Sequence, residues 1–125
     1  MQQVTWNQIG VKEGNKLLSP AYKSNGLVFT LGNVGNDGSG QFPADVAEQT
    51  ELAIANLANT LKNLNSGLDK VLKVLLFISN GDDASKVNEV YSKYFPHQPA
   101  RSCVIVQFPN KSIKVELECV AEENN

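Results

Sequence analysis

The segment KVLKVLLFIS, Lys70 to Ser79, decides the fold. Its length and its run of aliphatic and aromatic residues predict a β-strand. Residues pointing to both faces of the pleat are apolar in VLLFIS, and the same is true of CVIVQF further along the chain. One face of such a sheet packs on helices, whereas the other would be solvated in a two-layer monomer. A second apolar face therefore predicts a homo-oligomer, with a monomer that exposes an apolar sheet as the alternative.

The sequence before this strand predicts a strand, a loop and a long helix. GLVFTLGNV, Gly26 to Val34, is typical of a strand, and the glycine-rich GNDGSGQ that follows is typical of a loop. From Pro43 to about Leu64 the pattern favours a helix, with Pro43 at its start and acidic residues in the first turn. One apolar stripe follows from the helical spacing of Val46, Ala53, Leu57, Leu61 and Leu64.

After the strand, a shorter helix is expected to begin at Asp82 or Asp83, either of which can cap it. Four apolar and aromatic residues share one face of this helix: Val87, Val90, Tyr91 and Tyr94. The strands RSCVIVQF and SIKVELECVA then close the chain, joined by the short loop Pro109 to Lys111 as a hairpin. The order predicts a single α+β domain spanning residues 1–125, with two helices on one face of a mixed or antiparallel sheet.

Composition excludes several classes of function. The net charge is −2 over 125 residues and no basic stripe is present, so we expect no nucleic-acid partner. No apolar run is long enough to span a membrane. The first residues, MQQVTWNQIGVKEG, have neither the apolar core of a secretory signal nor the arginines of a transit peptide. We therefore expect a cytoplasmic protein, and a mitochondrial pool stays open.

Histidine and cysteine are too few to form a metal cluster. The one histidine, His97, is expected to be a surface loop residue, and no metal is expected. The hairpin would place Cys103 and Cys119 on opposite faces, which excludes a disulfide within it and predicts reduced thiols.

The most unusual residue is an arginine at the head of a core strand. Because side chains alternate, Arg101, Cys103 and Ile105 share one face. If the hairpin loop is centred near Asn110, register places Cys103 opposite Glu118, Ile105 opposite Glu116 and Arg101 near Val120. This face would carry a guanidinium, a thiol and two carboxylates. Either Arg101 pairs with a glutamate as part of the core, or its fork binds the carboxylate of a ligand.

Four segments, PARSCVIV, KVELECVA, VNEVYSKYF and GQFPADVAEQ, together resemble the reactive-intermediate deaminase family (RidA/YjgF). The resemblance runs from about Gly26 to Ala121 in the same order and spacing. It implies a chorismate-mutase-like α+β fold in a homotrimer with a central barrel, and clefts between subunits for small 2-keto or 2-imino acids. It also implies hydrolysis of 2-imino acids, reactive products of pyridoxal-phosphate enzymes, to 2-keto acids and ammonia. No cofactor is implied.

The resemblance assigns roles by position. Arg101 matches the carboxylate-binding arginine and Glu116 the glutamate associated with the catalytic water, while Cys103 and Asn88 match pocket residues. In the predicted hairpin Glu116 lies about 13 Å along the strand from the residue opposite Arg101, at ~3.3 Å per residue. Either the register shifts, or the two residues meet across a subunit boundary.

Two positions depart from the family pattern. Leu31 stands where active members carry a serine, and Leu18 aligns with a pocket tyrosine. Tyr22 lies four residues later and could replace that tyrosine only if the loop is re-routed. The resulting cleft is more apolar, which favours 2-imino acids with aliphatic side chains or a protein that binds small 2-keto acids without turnover. RNA cleavage, also associated with the family, is disfavoured by the acidic composition and the single histidine.

Overall fold

The computed structural model describes all 125 residues, which form one seven-stranded mixed sheet with both long helices on one face. This confirms the predicted fold class. The strands are β1 (Gln2–Gln3), β2 (Ala21–Ser24), β3 (Leu27–Thr30), β4 (Asn33–Val34), β5 (Val71–Ile78), β6 (Ala100–Ile105) and β7 (Val115–Glu122). The helices are α1 (Val46–Asn63) and α2 (Ala84–Tyr94), and 3-10 turns cover Trp6–Ile9, Leu68–Lys70 and Gly81–Asp83. Neither helix carries an apolar run of the length that crossing a bilayer requires.

The order of the strands differs from the one expected. It runs β1-β2-β3-β7-β5-β6, with β4 also paired to β7, and every pair is antiparallel except β5 with β6. The strand that the sequence marked out, β5, therefore lies between β6 and β7. Since α2 connects β5 to β6, the chain returns to the same end of the sheet and the two strands run parallel.

The predicted hairpin between the last two strands is wrong. Val74 and Leu76 of β5 lie beside Arg101 and Cys103 on one side, and beside Cys119 and Leu117 of β7 on the other. The pairings expected for Cys103, Ile105 and Arg101 are accordingly not formed. Sequence proximity favoured a short hairpin, but residues 106–114 instead carry the chain past the end of β5.

The start of helix α1 is set by a capping residue, Asp45. Asp45 accepts a hydrogen bond from the Glu48 amide (3.2 Å), so the helix starts at Val46, after Pro43. The whole predicted stripe is buried, including Leu64 just beyond the last turn. This stripe packs on the sheet and contributes most of the helix's share of the core.

Helix α2 is shorter and begins after a 3-10 turn. Asn80 caps that turn by accepting from the Asp82 amide (2.9 Å), whereas Asp83, the residue before the helix, makes no capping bond with its side chain. Val87, Val90 and Tyr91 are buried as expected. Tyr94 lies at the margin of that face, is more than one-third exposed, and hydrogen-bonds through its hydroxyl to Glu51 of α1.

The predicted strand over residues 26–34 is interrupted. It forms β3 and β4, with a break at Leu31 and Gly32. Strands β1 and β2 are not predicted from the sequence, because these short segments, QQ and AYKS, lack the apolar alternation of a half-buried strand.

One buried polar side chain ties the first helix to the connection between β6 and β7. The Gln49 amide donates to the Pro43 and Ser112 carbonyls (2.8 and 2.7 Å) and accepts from the Lys114 amide (2.9 Å). Gln49 is fully buried. These bonds replace the backbone pairing that residues 112–114 would have in a regular strand.

Replacing Gln49 by leucine should destabilise the protein strongly. Leucine fills a similar volume but leaves three partly buried backbone groups without their side-chain partner, at about 1–3 kcal/mol for each group that stays shielded from water. Urea unfolding of Gln49→Leu should show a loss of several kcal/mol, whereas the matched change at the exposed Gln41 should cost little. Equal stabilities of the two variants would contradict this role.

Candidate functional site

Arg101 lies on the outermost strand, β6, on the face covered by α2. Its neighbour on β5 is the buried Val74, which fixes this orientation. Nη1 of Arg101 donates to Oδ1 of Asn88 (2.8 Å), and its Cζ lies 4.7 Å from the centroid of the Tyr91 ring. Tyr91 in turn stacks on Phe95, with centroids 4.4 Å apart. The arginine is thus held by two side chains of α2.

No carboxylate of the chain pairs with Arg101. The two ion pairs in the structure join Lys23 to Glu123 and Lys93 to Glu51. The alternative in which Arg101 forms a core ion pair with a glutamate is therefore wrong. Arg101 is partly exposed and is the only arginine in the sequence. Its remaining N–H donors can bind an external acid.

Cys103 follows Arg101 on the same face of β6 and is exposed. Cys119 is buried, and burial raises the pKa of its thiol to about 12. The expectation that the two cysteines lie on opposite faces is wrong, because both face the helices with β5 between them. Both are free thiols.

Glu116 lies on the opposite, open face of the sheet. It is half-buried beside Phe77 of β5 and Val34 of β4 in the register. Its carboxylate covers Gly32: a β-carbon placed on that glycine would lie 2.5 Å from Oε2 of Glu116. Burial, and next the nearby charge of Glu118, raise the pKa of Glu116 above its usual value.

Arg101 and Glu116 do not meet within one chain. They lie on opposite faces, and β5 separates their strands, so two spacings of ~4.8 Å lie between them across the sheet. The expectation that they share a face is wrong, and a shift of register within the chain is excluded as the way to join them.

The three remaining candidates also lie away from Arg101. Leu31 is half-buried and lines a cavity of about 290 Å³ with Trp6 and Asn56. Leu18 is 52% exposed, and its carbonyl accepts from the Trp6 indole N–H (3.0 Å). Tyr22 is exposed on β2 beside Phe29. In the strand order, β7 and β5 separate these residues from Arg101.

The side chains form two groups. We call Arg101, Asn88, Tyr91 and Cys103 the arginine group, and Glu116, Gly32 and Leu31 the glutamate group. Neither Tyr91 nor Gly32 is a site candidate from the sequence. The helical spacing of Tyr91 predicts a core residue, although the same spacing places it one turn from Asn88. The close approach of Gly32 to Glu116 depends on the pairing of β4 with β7, which no local sequence pattern reveals.

Comparison with known proteins identifies the family. The family model described as Endoribonuclease L-PSP matches residues 13–123. The chain belongs to this family, whose members include proteins named for reactive-intermediate deaminase activity.

Several members of the L-PSP family with different names align with most of this chain. The mitochondrial protein mmf2 of Schizosaccharomyces pombe is 38% identical over 82% of this chain and 85% of its own length. Reactive Intermediate Deaminase A of Arabidopsis thaliana, a chloroplastic protein, is 37% identical over 82% of this chain and 57% of its own length. The crystal structure of YEO7 from yeast superposes with a TM-score of 0.86, at 30% identity, and covers 99% of this chain and 98% of that one.

The titration of Glu116 should make stability depend on pH. Its pKa is raised in the folded state, so the folded chain holds a proton that the unfolded chain releases above the usual pKa of 4.5. The stabilisation is complete below that value and is lost as pH rises through the folded-state pKa. Glu116→Gln should therefore flatten this decline in the free energy of unfolding and leave the variant more stable at neutral pH.

Urea unfolding at fixed protein concentration, from about pH 4 to about pH 8, measures this effect. Glu122→Gln is the matched control, because Glu122 is exposed at the end of the same strand. Parallel pH profiles for both variants and the unmodified protein would contradict the assignment.

Proposed function

We propose that this protein hydrolyses small 2-imino acids to 2-keto acids and ammonia in clefts between subunits of a homotrimer. The observation that carries the proposal is the Arg101 guanidinium, which α2 holds in place and no carboxylate of the chain neutralises. Membership of the L-PSP family and the name of the Arabidopsis relative support it.

Arg101 would bind the substrate carboxylate. A guanidinium offers two parallel N–H groups that match the two oxygens of a carboxylate. Anchoring that end of a 2-imino acid fixes the adjacent C=N carbon, so that attack by water becomes a reaction within one complex. Cys103, one step along the same face, would line the pocket beside the substrate.

Glu116 of a neighbouring subunit would act on the water. The reacting imine is protonated on nitrogen, and Glu116 as general base takes one proton from the water while the water oxygen bonds to the imine carbon, giving a neutral carbinolamine. Glu116 then returns this proton to the nitrogen, the C–N bond breaks, and the carbinolamine hydroxyl loses its proton to the departing ammonia, so that the products are the ketone and an ammonium ion. One water is consumed and no electrons are transferred. A half-buried carboxylate with a raised pKa suits this exchange of protons.

The open face of the sheet would form the subunit contact. Apolar side chains remain accessible there, including Phe29 and Val104, which are 43% and 42% exposed. Leu75 and Phe77 of β5 lie on the same face in the register. Burying such a patch against two further copies would stabilise a trimer and bring a glutamate group towards a neighbouring arginine group.

Leu31 and Leu18 would make the cleft more apolar than one lined by serine and tyrosine. Aliphatic walls favour a substrate with an alkyl side chain, such as 2-iminobutyrate, over a polar one. The same replacements support a second candidate function, a module that binds small 2-keto acids without hydrolysing imines.

Removing the Arg101 side chain should abolish catalysis. We expect Arg101→Ala to lower the rate constant for ammonia release from 2-iminobutyrate, made in situ by an amino-acid oxidase, by ~100-fold or more because the substrate loses its anchor. Arg101→Lys should recover little, since lysine cannot provide the bidentate fork. Lys111→Ala, in an exposed loop, removes an equal charge and should retain full activity.

Unchanged imine hydrolysis in Arg101→Ala would contradict the proposal. A different outcome is that calorimetry shows binding of 2-ketobutyrate by the unmodified protein while the lifetime of the imine is unchanged. That result would favour the second candidate function, a module that binds 2-keto acids without hydrolysing imines. Cleavage of RNA that is lost in Arg101→Ala would contradict both.

A further inference from the structure

We infer that Asn88 and Tyr91 form a clamp that aims the Arg101 guanidinium, satisfying one of its edges and leaving the other for a ligand carboxylate. This inference rests on the proposed function. It makes both residues positioning residues that act through Arg101. In particular, it gives Asn88 a different role from direct contact with the substrate.

The geometry of the clamp follows from the helix. Asn88 and Tyr91 are three residues apart on α2, so both project towards the same side. Asn88 holds Nη1 through a 2.8 Å hydrogen bond, and Tyr91 lies 4.7 Å from Cζ. These two contacts restrain the guanidinium both at its edge and over its plane. A single contact would leave rotation about the Cζ–Nε axis or tilting of the plane unrestrained.

The clamp is itself rigid. Tyr91 is buried and stacks on Phe95, which is only 2% exposed. Val87 and Val90 of the same helix are buried against the core. The restraints on Arg101 are thus fixed to the core, although Arg101 lies on the outermost strand.

The chemical nature of Asn88 matters as much as its position. A carboxamide oxygen accepts one N–H but carries no charge, so it orients the guanidinium without neutralising it. An aspartate at this position would form an ion pair and compete with the carboxylate of the ligand. The guanidinium has five N–H donors, so one bond to Asn88 leaves enough for a bidentate contact elsewhere.

Tyr91 restrains Arg101 through its aromatic ring and not through its hydroxyl. Its hydroxyl is buried and has no hydrogen-bond partner, so it does not hold any other group in place. Burial raises the pKa of this phenol, while the nearby Arg101 charge acts in the opposite direction. The neutral ring presents its electron-rich face to the cation, which is a favourable cation–π contact. Phenylalanine should therefore replace tyrosine here, and an aliphatic residue should not.

The first test changes the charge at residue 88. Asn88→Asp should weaken binding of 2-ketobutyrate, measured by calorimetry, by ~10-fold or more because the new carboxylate occupies the guanidinium. Asn110→Asp is the matched control: it adds the same charge in an exposed loop, and an aspartate keeps the oxygen that accepts from the Ser112 amide. Equal affinities for Asn88→Asp and the control would overturn the clamp.

The second test changes the ring. Tyr91→Leu should weaken 2-ketobutyrate binding by ~3–10-fold, the loss expected from one cation–π contact, whereas Tyr91→Phe should retain most of the affinity. Thermal unfolding shows whether each variant is folded at the assay temperature. Equal affinity of a folded Tyr91→Leu protein and the unmodified protein would overturn the role of the ring.

A third measurement separates the clamp from the proposed function. Because Arg101 is the only arginine, ¹⁵N NMR shows a single guanidinium Nε–H signal without assignment. Rotation of this guanidinium should be hindered in the unmodified protein and faster in Asn88→Ala and Tyr91→Leu, with no ligand present. If Arg101→Ala hydrolyses 2-iminobutyrate as fast as the unmodified protein, the proposed function fails and the NMR result alone decides the clamp. If rotation is equally fast in all three proteins, the clamp fails whatever the protein binds.

Discussion

The placement of β6 beside β5, fixed by the crossover through α2, is the constraint on which the rest of the structure depends. It makes the strand that carries Arg101 the edge of the sheet and orients the guanidinium towards α2. The same crossover inserts β5 between β6 and β7, which removes every glutamate of β7 from the reach of Arg101. An arginine in this position has no carboxylate of its own sheet to pair with, so the N–H donors that Asn88 does not use stay accessible.

Gly32 makes room for the carboxylate of Glu116. The break between β3 and β4 brings backbone without a side chain under the Glu116 carboxylate, where a β-carbon would lie 2.5 Å from one oxygen. Half-burial on the open face, and next the nearby charge of Glu118, then raise the pKa of this carboxyl. The chain thus builds a free cation and a perturbed carboxyl at two separate places. Neither group makes a complete hydrolytic site alone, which is why the proposed chemistry requires assembly.

Local sequence patterns predict individual elements of this fold but not the order of its strands. The apolar stripe from Val46 to Leu64 predicts α1, the apolar segment of β5 predicts a buried strand, and the motif PARSCVIV indicates the family. These predictions succeed because hydrophobic periodicity is a property of the segment itself. The order of strands is set by which elements pack together over the whole chain. RSCVIVQF and SIKVELECVA look like hairpin partners, and only the packing of α2 reveals that β5 lies between them. For the same reason the sequence located Arg101 and Glu116 but placed them on the wrong relative faces.

The central claim is that one catalytic cleft takes its arginine and its glutamate from different subunits. Complementation measures this directly: Arg101→Ala and Glu116→Ala, each inactive alone, are unfolded together in equal amounts and refolded as mixed oligomers. A site that draws the two residues from neighbouring subunits is intact in about one quarter of random pairings, so about one quarter of the imine-hydrolysing activity should return. A refolded mixture as inactive as either variant would contradict the account.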